Sequence, residues 1–259
     1  MMTPRASISA TLLVMTSALL SCADSTAPVV APIAAPAPVA VIDVEAVYGE
    51  CEPGEGGSGK TYMGREIAEV MGHTGLDWLE RTGRAQEERT DLLLGLLPLR
   101  PTDAVADIGA GSGYFTMRLA PLVPEGVVYA TDIQPEMLAV LSERARDEGM
   151  HNVMPVLGAI DACGLEPASI DLALFVDAYH EFSHPAEMMR SLRVAMKPNG
   201  VVVLVEYRLE DPSVRIKLRH KMSLEQATLE MRAAGFDLVK THDELPQQHV
   251  MLFRPHASK

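Results

Sequence analysis

The sequence predicts an α/β fold: a doubly wound, mostly parallel sheet with helices ahead of it. Three observations carry that expectation. From residue 103 onward, short apolar runs alternate with helix-period segments, and such alternation closes as a parallel sheet with right-handed crossovers. One run, Val105-Ala106-Asp107-Ile108, leads directly into Gly109-Ala110-Gly111-Ser112-Gly113 and then a helix-like pattern. A second, Val201-Val202-Val203-Leu204-Val205, is almost wholly β-branched, which suits a strand buried on both faces.

The bulk numbers agree. A chain of 259 residues, 47% hydrophobic, accommodates one α/β domain with extensions. A formal net charge of -13 disfavours a nucleic-acid substrate, because phosphate binding needs clustered cations. The dense basic cluster is Arg215 to Lys221; it reads as a solvated face, with a substrate-side or phosphate contact as the alternative.

In chain order, residues 1–21 carry Arg5 and then an interrupted apolar run from Ile8 to Leu20. That is too short for a membrane span and fits a secretory signal. Leu19-Leu20-Ser21-Cys22 resembles a bacterial lipoprotein lipobox. The resemblance implies cleavage before Cys22, lipidation of Cys22, possible attachment to a membrane, and a place in the cell envelope, lipid-anchored or periplasmic. A wrong signal reading would return the protein to the cytoplasm. Residues 22–62 read as a disordered tether, with Pro28, Pro32, Pro36 and Pro38 near its start. Within it Gly54-Glu55-Gly56-Gly57-Ser58-Gly59-Lys60-Thr61 satisfies the phosphate-loop pattern letter for letter. The acidic, turn-like residues before it are no buried strand, so a flexible glycine-rich linker is expected.

Residues 63–100 read as N-terminal helices: Gly64 to Met71, Asp77 to Arg81, and Arg84 to Leu97, ended by Pro98 and Pro101. Trp78 is expected in the core, or in a lid over the mouth of the site. Residues 101–259 form the main domain. Its strands are expected at 104–108, 126–131, 153–157, 170–176, 201–206, 238–241 and 250–253, seven in all. Its helices are expected at 114–123, 135–148, 185–196 and 223–234.

Ligands in such sheets sit at the carboxyl ends of the strands. Asp132 ends the second strand, where an acid can accept hydrogen bonds from both ribose hydroxyls. The spacing Gly109-x-Gly111-x-Gly113 differs from the dinucleotide pattern, and Asp107 close to the turn repels a pyrophosphate and suits an ammonium group. The run Asp107 to Gly113, Asp132, and Leu192 to Val205 together resemble class I S-adenosylmethionine-dependent methyltransferases. The resemblance covers roughly residues 65 to 255. It implies a Rossmann-like fold and S-adenosyl-L-methionine as cofactor, held by Asp107, Gly109, Ala110, Gly111, Gly113, Asp132 and Ile133. Asp161 stands two positions later than the adenine-binding acid of many relatives and is carried over only weakly. Asp177, His180 and Glu181 follow the fourth strand, where relatives border the transferred methyl group. His180 is therefore expected as general base, with Glu181 orienting it and Glu206 as a further pocket acid. No metal site is expected.

Of the three cysteines, Cys22 would be lipidated, and nothing in the sequence brings Cys51 and Cys163 together. The expected activity is methyl transfer to a small or lipid-like acceptor, with the oligomeric state open. The competing readings are a catalytically inactive, lipid-anchored cofactor-binding protein and an NAD-linked oxidoreductase.

Overall fold

The structure, a computed structural model, describes residues 1–2 and 47–256. The chain divides into two units, 1–35 and 36–259, and every element named below lies in the second. The expected signal segment, Cys22 and the proline-rich start of the tether lie outside the described residues. Among the described residues no helix is long and apolar enough to cross a membrane.

The chain is ordered into strands well before residue 63, which corrects the expectation of a tether up to residue 62. Strands β1 (Tyr48–Glu50), β2 (Gly57–Tyr62) and β3 (Arg65–Ala68) form a small antiparallel sheet. Tyr62 pairs with Arg65 across Met63 and Gly64, whose φ values of 48 and 87 give the positive-φ two-residue turn that suits a right-twisted hairpin. That turn puts a strand where 64–71 read as a helix. Tyr62 and Ile67 are buried against Ala186, so contacts beyond the local sequence decide the conformation. The phosphate-loop pattern is therefore neither a flexible linker nor a phosphate cradle. The Glu66 carboxylate accepts from Gly54 N–H at 3.0 Å and Gly59 N–H at 3.2 Å, so an anion of the protein's own uses the loop donors. Lys60 donates to Ser183 O at 2.6 Å and lies 4.3 Å from the Tyr48 ring centre.

Three short helices follow: α1 (Leu76–Leu79), α2 (Arg84–Glu87) and α3 (Thr90–Leu96). The single helix expected over 84–97 is broken at Arg89, whose φ is 51. Trp78 is half exposed, which overturns its expected place in the core.

The main sheet is built from β4 (Ala104–Ile108), β5 (Val127–Asp132), β6 (Val153–Leu157), β7 (Ile170–Val176), β8 (Met196–Tyr207), β9 (Phe236–His242) and β10 (Gln248–Pro255). Its order is β6-β5-β4-β7-β8-β10-β9, with β10 antiparallel to both neighbours and the pairings from β6 to β8 parallel. This is the doubly wound, seven-stranded sheet expected. Helices α4 (Thr116–Leu119), α5 (Pro135–Asp147), α6 (Pro185–Ala195) and α7 (Leu224–Ala233) cover its faces. Because side chains alternate along a strand, the sheet supports two cores. Val105, Val128, Leu172, Leu174, Val203 and Val205 pack with Leu119 and Leu141 on one face. Ala106, Ile108, Phe175, Val202 and Leu204 pack with Met189, Leu192 and Met231 on the other. Burial on both sides explains why these strands are apolar throughout. Among the described residues Cys51 and Cys163 are not bonded to each other and stand as thiols, one exposed and one buried.

Candidate functional site

Strands β4 and β7 are neighbours, and the chain leaves them in opposite directions. The crevice at their carboxyl ends is where an open α/β sheet takes its ligand. A cavity lies there, walled by Gly109, Gly111, Asp132, Ile133, Ala159 and Asp177 among others. The turn after β4 is pinned to β5, because the N–H groups of Gly109 and Ala110 both donate to Thr131 O, at 2.9 and 3.0 Å. Gly109 has φ 74, and a Cβ there would lie 2.8 Å from the Ala178 Cβ, so this position requires glycine on two counts. Gly113 and Ala110 do not line the cavity. A Cβ on Gly113 would lie 2.9 Å from Leu141, so this glycine lets the turn pack on α5.

Asp132 is held in place by backbone. Its Oδ2 accepts from Gly111 N–H and its Oδ1 from Gln134 N–H, each at 2.9 Å. Burial raises its pKa against those donors, and it faces the cavity with acceptor capacity left for a ligand's hydroxyls. Asp107 takes a different place from the ammonium contact its position suggests. It is buried beneath the turn, away from the cavity wall, and accepts from Thr116 Oγ1 at 2.6 Å. Burial pushes its carboxyl up to about 6 in spite of that bond. Asp161 is not brought to the cavity. Ala159 N–H closes a turn onto Ala162 O at 2.9 Å and leaves Asp161 exposed, while Ile160 and Ala162 line the wall.

Gln134 is a site residue that the sequence reading missed. Its side-chain oxygen accepts from His73 N–H at 2.8 Å and its amide donates to Met71 O at 3.0 Å. These two bonds tie the segment carrying Val70 and Met71 over the cavity mouth, which both residues line together with Leu79. The N-terminal segment therefore lids the site; its one sequence signal was its place directly before the first strand of the domain.

A second cavity adjoins the first, sharing Val70, Met71, Leu79, Val176, Asp177 and Glu181 with it. It also reaches His180, Tyr207, Arg215, Lys217 and His220. Asp177 stands at the junction with φ 50, a strained conformation for a non-glycine residue. Its Oδ2 accepts from Gln248 at 2.9 Å, and Oδ1 is buried with no partner among the described residues. Burial, reinforced by Glu88 and Glu206, raises its pKa well above the ordinary carboxylate value.

His180 does not fit the expected general base. Burial pushes its imidazole down to about 3, so it is neutral at ordinary pH and a weak proton acceptor. Its Nδ1 lies 2.6 Å from Glu206 Oε2, and its Nε2 lies 3.1 Å from His220 Nδ1. Glu206 is fully buried, which pushes its carboxyl up to about 8. Arg65 holds this layer from below, donating to His180 O at 3.1 Å while its guanidinium forms a two-pronged pair with Glu230. His220 is the other residue the sequence reading missed. It lies 40 positions from His180 inside the basic cluster, and no local spacing links the two. Among the described residues, His180, Glu181 and His220 form a group whose donor atoms converge, although no metal-ligating cluster was expected.

Residues 105–200 match the family model of a methyltransferase domain. The chain is 34% identical over 116 residues to an uncharacterized methyltransferase-like protein of Schizosaccharomyces pombe, a match covering 45% of this chain and 43% of that one. It is 30% identical over 129 residues to the uncharacterized methyltransferase YcgJ of Bacillus subtilis, covering 49% and 50%. The chain thus spans about half the length of these curated relatives. A solved SAM dependent methyltransferase from Aquifex aeolicus has the same fold, with a TM-score of 0.67 at 20% identity, over 71% of this chain and 98% of that one. The sheet has the Rossmann-like methyltransferase fold, and residues 105–200 carry the match to the methyltransferase-domain family.

Proposed function

We propose that this protein is an S-adenosylmethionine-dependent methyltransferase acting on a small or lipid-like acceptor. The cofactor is S-adenosyl-L-methionine. It occupies the first cavity, with its ribose on Asp132 and its methionine part against the glycine turn. The observation that carries this reading is the junction at Asp177 and Glu181. There the cavity holding Asp132 and the glycine turn opens into a second one large enough for an acceptor.

The reaction is an in-line substitution. The acceptor's lone pair forms the new bond to the methyl carbon as the carbon–sulfur bond breaks, and both electrons of that bond pass to sulfur. The product is the thioether S-adenosylhomocysteine. Two groups held in contact under a lid that excludes water lower this barrier through orientation and desolvation, with little covalent work for the protein. The lid segment tied down by Gln134 supplies that exclusion. His180 and Glu206 form a rigid wall beneath the junction.

Calorimetry of the purified protein with S-adenosylmethionine, S-adenosylhomocysteine and NAD tests the cofactor. Binding of both sulfur nucleosides and not of NAD is expected; binding of neither sinks the reading. Mass-spectrometric methylation assays over small aromatic and aliphatic alcohols, lipid extracts and RNA then test the acceptor. Preferential methylation of RNA would overturn the small-acceptor class, and binding without turnover would favour the inactive cofactor-binding protein. Lipidation of Cys22 belongs to the same proposal. An intact mass equal to residues 22–259 plus acyl groups supports it, and a mature chain starting at Met1 refutes it.

A further inference from the structure

We propose that His180, Glu181 and His220 bind a divalent first-row transition-metal ion beside the second cavity. The metal site itself does not depend on the methyl-transfer reading; its use on an acceptor does.

The first ground is geometric. His180 Nε2 lies 3.1 Å from His220 Nδ1, His220 Nδ1 lies 3.4 Å from Glu181 Oε1, and His180 Nε2 lies 3.9 Å from Glu181 Oε1. Metal–ligand bonds of about 2.1 Å at angles of 90 to 110° place donor atoms roughly 3.0 to 3.4 Å apart. Two of the three separations already fit, and the third needs to close by about half an ångström, which a small carboxylate rotation provides.

The second ground is the support behind two of the three ligands. His180 has Nδ1 directed at Glu206 Oε2, 2.6 Å away, which leaves Nε2 to face the cluster. Glu181 accepts from Met71 N–H at 3.1 Å through Oε2, which leaves Oε1 to face the cluster. A carboxylate behind an imidazole and a backbone donor behind a carboxylate are the outer contacts that orient metal ligands. His180 is 1% exposed and Glu206 is 0% exposed, so their pairing is not a surface accident.

The third ground is the open side. All three residues line the second cavity, which therefore faces the remaining coordination positions. Two nitrogens and one carboxylate with positions left open form a catalytic rather than a structural set. Imidazole ligands favour zinc, iron and their neighbours over magnesium or calcium. The acceptor class this selects bears a hydroxyl or enol oxygen that serves as a further ligand. Arg215 and Lys217 on the same wall suit an acceptor that also carries negative charge.

The test uses the full chain, stripped with chelator and dialysed, then titrated with Co²⁺ by visible absorption and with Zn²⁺ by calorimetry. One equivalent of each is expected in the wild type. His220→Ala and Glu181→Gln should each weaken binding at least a hundredfold. Glu206→Gln, which touches no metal, should weaken it 10- to 100-fold. Far-ultraviolet circular dichroism and the urea midpoint of every sample report that the variant is folded, and S-adenosylmethionine binding is measured alongside. Cobalt uptake that is absent from the wild type, or unchanged in His220→Ala, overturns the proposal. S-adenosylmethionine binding without cobalt uptake removes the metal site and keeps the methyl-donor reading. Cobalt uptake without S-adenosylmethionine binding supports the site and removes that reading.

Discussion

Asp107→Asn separates a buried charge from its hydrogen bond and has a worked sign. Asp107 is 3% exposed, and burial, reinforced by the nearby Asp132 charge, lifts its carboxyl from 3.8 to about 6 despite the bond from Thr116. A group whose folded pKa exceeds its unfolded value binds its proton more tightly in the folded state. Its contribution is complete below the unfolded pKa and is lost as pH rises through the folded one. Across pH 3.5 to pH 7.5 the wild type should therefore lose about 3 kcal/mol through this one residue, about 2 kcal/mol of it between pH 4 and pH 6. Asparagine keeps an oxygen to accept from Thr116 and carries no charge at any pH, so the variant should lose nothing by this route. Urea denaturation of both proteins without ligand, from pH 3.5 to 7.5, gives the readout. The stability of the variant minus that of the wild type should grow by about 3 kcal/mol across the window, or about 1 M in midpoint for a slope near 3 kcal/mol/M. A difference that stays flat would refute the assignment of buried charge to Asp107. A difference that shrinks with pH would mean that the carboxylate is the favoured form in the fold.

Asp132→Ala leaves the N–H groups of Gly111 and Gln134 without their acceptor and removes the ribose contact, so S-adenosylmethionine affinity should fall roughly 10- to 100-fold by calorimetry. Gly109→Ala adds a methyl group 2.8 Å from the Ala178 Cβ at φ 74, and should cost roughly 2–4 kcal/mol in denaturation together with most cofactor binding. Arg65→Met strands the fully buried Glu230 and should destabilise by about 3–5 kcal/mol, whereas Arg65→Met with Glu230→Leu should recover most of that loss. Lys60→Ala should leave nucleoside triphosphate binding undetectable, as in the wild type, because Glu66 already uses the loop donors; measurable ATP binding abolished by the variant would reinstate the phosphate loop.

The main sheet was legible because its signals are local. A strand buried on both faces needs an unbroken apolar run, and each crossover needs a helix-period segment, so 105–108, 170–176 and 201–205 announce themselves. The glycine turn was legible for a similar reason, since positive φ and close approach to Ala178 restrict Gly109 whatever the rest of the chain does. The elements before residue 100 were misread where short apolar runs fit both periods. The 64–71 segment became a strand because the positive-φ turn at Met63 and Gly64 folds it onto β2, with Ile67 buried beside Ala186.

The sequence alone therefore determined the α/β class, the order of strands and helices from β4 onward, and the place of Asp132 at the end of the second main-sheet strand, where it walls the cavity. Those features follow from periodicity and from residues whose role is set by their immediate neighbours. Only the tertiary structure decided which polar groups meet. It placed Asp107 under the turn rather than in the cavity, left Asp161 outside, tied Gln134 to the lid, and set His220 against His180 across 40 residues. It also made His180 a buried neutral imidazole backed by Glu206, where the sequence suggested a general base. Burial and contact between distant segments fix a side chain's charge and partners, and neither quantity is written in the spacing along the chain.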